Sequence, residues 1–377
     1  MARILLVTNI YPPDIGGPAT YIDAIGHALS DLGHKVTVVC TSERPDEPTD
    51  AERPFRVRRI YRRNRIFIEL MARLVLAQEM LRHKLILVNG LETQAAQIAG
   101  FLRRHYILKI VGDDVWELAR NTGLTDLSID DFQKITPTDS HLQRRVAWRK
   151  QILSQARLVI TPSRYLQHIV VNWGTPPEKV EVVFNGVLED DYAVFEPAHR
   201  STDTLKVVFC GRLTNWKGVE TLLLAVQTLS DIQVSIIGDG PELPMLVGLT
   251  RQLKLTKRVQ FLGRLSQPQL REALSKMHVL VLPSGYEGLS HTLLEAGALG
   301  LACIASDCGG NPEVIHHEEN GLLFPYGDVA QLRAALEKMQ VDEKYRYQLA
   351  CRAKANSPRF DFNITMQQTI QILLEGD

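Results

Sequence analysis

Uninterrupted apolar runs, each followed by a segment of helical period, recur along both halves of this 377-residue chain. A strand that is apolar at every position, not only at alternate ones, is covered on both faces, as in a parallel sheet between two helical layers. The first half runs ARILLVT, a helix over about 18–32, KVTVVC, a helix around 67–81, LILVN, a further helix and YILKIVG. ARLVIT and KVEVVF follow a helical segment that ends near Ala156. Ile22, Ile25, Leu29 and Leu32 keep helical spacing, and Gly33 follows as a C′ residue. The second half restarts with LKVVFCG, a helix over 218–229, IQVSIIG, a helix from Glu242 and RVQFLG. It continues with a helix after Pro268, HVLVLP, a helix carrying Glu295, and LACIAS. This alternation predicts an α/β chain of two doubly wound, Rossmann-like sheets.

Length agrees, because a single core seldom serves more than about 250–300 residues. The expected units are residues 1–188, a connection at 189–204 where the pattern loosens, 205–358, and a helix in 359–377 that packs back on the first unit. Two such units facing each other create a cleft.

Lys plus Arg equals Asp plus Glu, 43 each, so no overall charge points to nucleic acid, and none is expected as a partner. The run MARILLVTNIYPP lacks the charged region, long apolar region and cleavage site of a signal peptide. No apolar stretch approaches the roughly 18–20 residues of a spanning helix. Five scattered cysteines suit buried thiols in a reducing cytosol. Cys303 and Cys308 are close together, but a metal site would need more Cys or His beside them, and no metal or cofactor is expected.

The stretch VLVLPSGYEGLSHTLLEAGALG, residues 279–300, carries the most chemistry. A strand over 278–283 delivers Glu287 to its carboxyl end, where ligands of open parallel sheets collect. The N–H groups of Gly288, Leu289 and Ser290 open a helix there and attract an anion. Glu295, eight positions on, lies about two turns into that helix at roughly 3.6 residues per turn and looks back to the same crevice. Two acceptor-only carboxylates beside an anion site suit a ligand rich in hydroxyls and phosphate. GRLTNWKG, after the strand KVVFC, brings Arg212 and Lys217 to the equivalent end of its own strand. A planar fork and a mobile point charge can together hold a diphosphate and stabilise charge as it departs. Read alone, they are also what surface cations at a turn look like.

GRLTNWKG, IIGDGPE, FLGRLSQ, LPSGYEGLSHTLLEAGALG, IASDCGGNPEVI and NGLLFPYGD, in this order and spacing, resemble a retaining glycosyltransferase of the GT-B fold, family 4. The resemblance continues through NIYPPDIGGPATYI, VITPS and VVFNGV and is weak between about 50 and 155. It implies that Glu287 contacts the hydroxyls of the transferred sugar and Glu295 the nucleotide ribose. Arg212 and Lys217 would grip the diphosphate, assisted by the amides of Gly288, Leu289 and Ser290. Gly16 and Gly17 would let backbone approach the donor from the opposite domain, although a tight turn asks for glycine as well. Gly309 and Gly310, with Asn311 as N-cap and Pro312 at N1, read as another helix entrance. Backbone near Gly263 and Arg264 is where the nucleobase would be read. The implied partners are a nucleoside-diphosphate sugar and a glycan or lipid-linked acceptor.

The departure from the family pattern lies at KIVGDDVWE, residues 109–117, where many members carry a histidine motif. Asp113 is the expected replacement in acceptor orientation or proton relay, with Asp114 second; either one equally suits the cap of the helix that follows. His291 adjoins the glutamate motif as a further ligand or acid, or else points away from the crevice on its helix. Seven arginines in 53–65, followed by IFIELMARLVLAQEM, give a basic and apolar region over 53–84. It suits an anionic membrane surface, and equally a solvated charge run beside a core helix. A cytoplasmic enzyme, peripheral on the inner face of the cell membrane, is the corresponding location. A nucleotide-sugar epimerase and a non-catalytic partner subunit remain as alternatives, because fold alone does not fix function.

Overall fold

The structure, a computed structural model, describes residues 1–14, 16–188 and 204–375. The connection at 189–204 lies outside them apart from Thr204. The first half contributes β1 (Arg3–Thr8), α1 (Gly17–Asp31), β2 (Lys35–Ser42), β3 (Arg56–Tyr61), α2 (Arg65–Met80), β4 (Leu85–Asn89) and α3 (Glu92–Leu102). It goes on with β5 (Tyr106–Lys109), α4 (Asp114–Asn121), α5 (Ile129–Phe132), α6 (Ser140–Gln155), β6 (Ala156–Thr161), α7 (Arg164–Asn172) and β7 (Val180–Val182). The second contributes β8 (Leu205–Cys210), α8 (Val219–Val226), β9 (Ile232–Ile237), α9 (Leu243–Gln252), β10 (Val259–Gly263), α10 (Gln267–Ser275) and β11 (Val279–Leu282). Then come α11 (His291–Ala298), β12 (Ala302–Ser306), α12 (Asn311–Val314), β13 (Leu322–Phe324), α13 (Val329–Val341), α14 (Glu343–Asn356) and α15 (Phe362–Leu374).

Both sheets are parallel, in the orders β3-β2-β1-β4-β5-β6-β7 and β10-β9-β8-β11-β12-β13. In each, the order reverses once, between β1 and β4 and between β8 and β11. A crevice opens at such a reversal beyond the strands' carboxyl ends. The continuous apolar runs have a direct cause. Along β1, Ile4 and Leu6 pack with Ile22, Ile25 and Leu29 of α1, while Leu5 and Val7 pack on the opposite face with Val75 and Leu76 of α2 and Ala95 of α3. Each such leucine or isoleucine contributes about 1.5–3 kcal/mol on burial.

Helix α15 returns to the first half. Phe362, Ile370 and Leu373 share the core of Ile4 and Ile22, and the hydroxyls of Tyr21 and Thr369 lie 2.5 Å apart. The backbone N–H of Phe362 donates to the Val187 carbonyl at 2.9 Å.

The arginine-rich segment is not a bare cationic face. Its middle is the edge strand β3, and five of its arginines are consumed locally, Arg56 among them at 3.7 Å from Glu79. Arg53 meets Asp23 at 3.3 Å, Arg58 meets Glu79 at 2.6 Å, Arg59 meets Asp50 at 2.7 Å and Arg62 meets Asp14 at 2.6 Å. The apolar surface lies further on, along α2, where Ile66, Leu70 and Leu74 follow one another at four-residue spacing, all exposed. Among the described residues no helix is long and apolar enough to cross a membrane.

Candidate active site

The reversal point of the second sheet gathers the predicted cations and carboxylates. After β8 the chain makes a turn over Asn215–Lys217 and leaves it through Gly218, whose φ of 65° is left-handed. A side chain there would collide with the Pro283 carbonyl oxygen, so the turn can lie directly on the end of β11 only with glycine. The Gly285 N–H donates to the Trp216 carbonyl at 2.6 Å, tying the two loops together. Lys217 Nζ then donates to Glu287 Oε1 at 2.6 Å, with 18% and 12% of the two side chains exposed. Arg212, on the same loop, is exposed. Glu295 is half-buried near the end of β8, where burial, and secondly the Glu295 charge, push the Cys210 thiol up to about 12.

The glutamate loop differs from expectation at its helix start. Helix α11 begins at His291, and Ser290 is its N-cap, with Oγ accepting from the Leu293 N–H at 3.3 Å. Gly288 and Leu289 therefore precede the helix, because the serine hydroxyl competes for the first free amide and fixes the cap one residue before His291. Glu295 comes only five residues after the cap, less than two turns in. Asn311 and Pro312 need a similar correction. The cap of α12 is Gly310, and Asn311, as the first helical residue, turns its amide inward to donate to the Ser306 carbonyl at 3.1 Å. Gly309 and Gly310 support the glutamate loop from behind: the Gly310 N–H donates to the Glu287 carbonyl at 2.8 Å. A side chain on Gly309 would strike that same oxygen. Gly263 uses its carbonyl to accept from the Gly238 N–H at 2.8 Å, and Arg264 is exposed.

The facing wall belongs to the first half. Gly16 caps α1 in extended conformation, and Gly17 begins that helix. A side chain on Gly17 would come within 3.6 Å of His291 Nε2, so His291 reaches across the cleft. His291 is exposed to the cleft, and desolvation by the facing walls, then the nearby Lys109 charge, lower the pKa of its imidazole. Lys109, the last residue of β5, is itself buried with no hydrogen-bond partner among the described residues. Its Nζ lies 3.7 Å from the centre of the Tyr21 ring, and burial pushes it down to about 7.

Asp113 takes the capping role that the sequence offered as its alternative. It is fully buried, and its Oδ1 caps α4 by accepting from the N–H groups of Val115 and Trp116 at 3.0 and 3.1 Å. Arg149 Nη1 donates to the same oxygen at 2.9 Å and Gln133 Nε2 to Oδ2 at 2.9 Å. Asp114 is exposed and paired with Arg145 at 3.0 Å. The carboxyl that faces the second half is Glu117, one turn into α4, which sequence reasoning missed. Burial pushes it up to about 7; Lys217 opposes the rise, and Asp113, Asp114 and Glu287 add to it. The apolar stripe Val115, Trp116, Ala119 fixes the phase of α4, and that stripe was the available signal.

The two halves meet around this site. Trp116 packs edge-on against Trp216 at 5.4 Å and Tyr286 at 5.2 Å. Glu313 accepts from the backbone N–H groups of Arg164 and Tyr165, and Asn185 Nδ2 donates to the Leu289 carbonyl at 3.1 Å. Among the described residues no group of three His, Cys, Asp or Glu is placed to hold a metal ion.

Residues 15–190 match the model of Glycosyltransferase Family 4, and residues 193–356 match that of Glycosyl transferases group 1. An uncharacterized glycosyltransferase of Methanocaldococcus jannaschii is 27% identical over 85% of this chain and 84% of its own length. A sucrose-phosphate synthase from Thermosynechococcus elongatus superposes with a TM-score of 0.80 at 21% identity, over 100% of this chain and 99% of that one. HepE of Anabaena, solved with UDP and glucose, gives a TM-score of 0.78 at 21% identity over 100% of both chains. With two doubly wound sheets closing on a carboxylate-and-cation crevice and both halves matched, the chain belongs to the family 4, group 1 glycosyltransferases of the GT-B fold.

Proposed function

We propose that this enzyme transfers a hexose from a nucleoside diphosphate to a hydroxyl of a glycan or lipid-linked acceptor, with retention of anomeric configuration. The observation that carries the reading is the Lys217–Glu287 contact at the strand-order reversal, with Arg212 exposed on the same loop and Glu295 at the end of β8. In this reading Glu295 accepts from the ribose hydroxyls and Glu287 from the sugar. Arg212 and Lys217 hold the diphosphate and offset the charge that grows as the bond between the anomeric carbon and phosphate oxygen breaks. Gly16 and Gly17 bring backbone close from the opposite side, and Gly288, Leu289 and Ser290 line the approach to the helix start. The acceptor oxygen bonds to the anomeric carbon on the face the phosphate leaves, and the acceptor proton passes to the leaving phosphate oxygen. Retention follows from that same-face geometry and rests on the family resemblance. Asp113 contributes by capping α4, which orients the acceptor-side wall.

A lipid-linked acceptor gains support from the surface of the first half. Ile66, Leu70 and Leu74 on α2, Leu81 just beyond it and Phe101 on α3 are exposed, with the exposed cations Arg63, Arg65, Arg82 and Lys84 around them. An apolar strip rimmed by cations suits the headgroup region of an anionic membrane, on whose inner face the enzyme would work.

The first donor to test is a UDP-sugar, because the similarly folded HepE was solved with UDP and with UDP-glucose. A thermal-shift series with UDP, GDP and ADP on the wild type and on Glu295→Ala is expected to show selective stabilisation by one diphosphate, lost in the variant. Stabilisation by none of them sinks the donor assignment. Anomeric coupling constants in the NMR spectrum of the product then decide retention.

A further inference from the structure

Three features of the two facing walls converge at Gly112, in the loop between β5 and α4. A Cβ on Gly112 would lie 2.8 Å from Glu117 Oε1 and 3.4 Å from the Tyr286 hydroxyl oxygen, so the two polar groups close on this glycine from either side without being hydrogen-bonded to each other. The Tyr286 hydroxyl is buried and has no hydrogen-bond partner among the described residues. Its ring cannot swing to find one, being wedged between Trp116 at 5.2 Å and Tyr165 at 6.3 Å. An unmet buried hydroxyl costs roughly 1–3 kcal/mol, which calls for a ligand to satisfy it. Glu117 comes from the first half and Tyr286 from the second, immediately before Glu287. The pair therefore borders the carboxylate assigned to the sugar and exists only while the halves are together.

We propose that Glu117 and Tyr286, with the bare Cα of Gly112 between them, form a hydroxyl-binding subsite for the transferred sugar. One sugar hydroxyl bridges the two groups, and Glu287 takes a neighbouring one. The inference rests on the donor reading given above. It identifies Glu117 as a specificity-determining residue and gives the sugar a contact to each half. Its carboxyl faces Lys217 and Glu287 across the cleft and Asp113 and Asp114 on its own side, a balance that leaves it able to donate or accept near neutral pH. A sugar lacking the bridging hydroxyl would leave both groups unpaired, a strong means of rejection.

The test compares binding of the nucleoside diphosphate with binding of the same diphosphate carrying its sugar, by calorimetry on the full chain without acceptor. UDP with UDP-glucose is the first pair. Glu117→Gln, Tyr286→Phe and Gly112→Ala are each expected to weaken the sugar nucleotide by about 10- to 100-fold and to leave the free diphosphate within about twofold. Unchanged diphosphate affinity also shows that the variants are folded. Equal loss for both ligands, or loss for neither, overturns the subsite and leaves the donor reading standing. A wild type that binds no nucleoside diphosphate in the wider series removes the donor reading and the subsite together.

Discussion

The carboxylate of Glu313, in the second half, accepts from the backbone N–H of Tyr165, in the first, at 2.8 Å, and from that of Arg164 at 2.9 Å. A helix of one half is thus capped in part by the other, since the first amides of a helix have no partner within it. Glu313→Ala is expected to cost about 1–3 kcal/mol of closure, from hydrogen bonds to a charged group. Faster amide exchange at 164 and 165 and a larger radius of gyration in small-angle scattering would register it, and an unchanged radius would count against a closing role.

Lys217→Ala removes a cation from the place where phosphate charge would develop. A fall of about 10²- to 10³-fold in kcat, with a smaller change in donor KM, is expected. Glu295→Ala should act mainly on donor affinity, by about 10- to 100-fold. Wild-type activity in both variants would remove the assigned site.

Lys109 is buried with no hydrogen-bond partner among the described residues, and its depressed pKa of about 7 has a thermodynamic consequence. Between that value and the usual one near 10.5 the unfolded chain binds more protons than the folded one, so stability rises with pH across this window. Lys109→Met should remove this slope and raise stability at pH 7 by on the order of 3 kcal/mol. Chemical denaturation of both proteins at pH 7 and pH 9 measures it; a destabilised methionine variant would show that the contact with the Tyr21 ring outweighs desolvation.

Replacing Ile66, Leu70 and Leu74 together by serine should lower binding to vesicles containing phosphatidylglycerol by at least about tenfold. Activity on a water-soluble donor and acceptor should persist. Equal vesicle sedimentation of variant and parent would assign the strip to another partner.

The strands were legible because both faces of each sheet are covered, which makes 3–8, 85–89 and 279–282 apolar at almost every position. Helix α6 has little such signal: only Leu142 and Leu153 are buried along its length, so the region between β5 and β6 read poorly. At the site, the segment GDDVWE offers three carboxylates and no local rule ranks their chemistry. Asp113 is diverted by the cap of α4 and by Arg149, and Glu117 gains its setting from Lys217 and Glu287, about a hundred or more positions away in sequence. Contacts between halves carry no period, whereas contacts within a sheet do. The same limit explains the arginines of 53–65, whose partners Asp14, Asp23 and Glu79 lie on other elements.

The return of α15 to the first half sets an order on synthesis. When Val182 of β7 leaves the ribosome, every strand of the first sheet has been made, yet the surface around Tyr21, Ile22 and Ile25 still lacks Phe362, Ile370 and Leu373. That surface must wait through the translation of the whole second half. The nascent first half is therefore an open-sided intermediate, exposed to chaperones and proteases until residues 362–373 have been made.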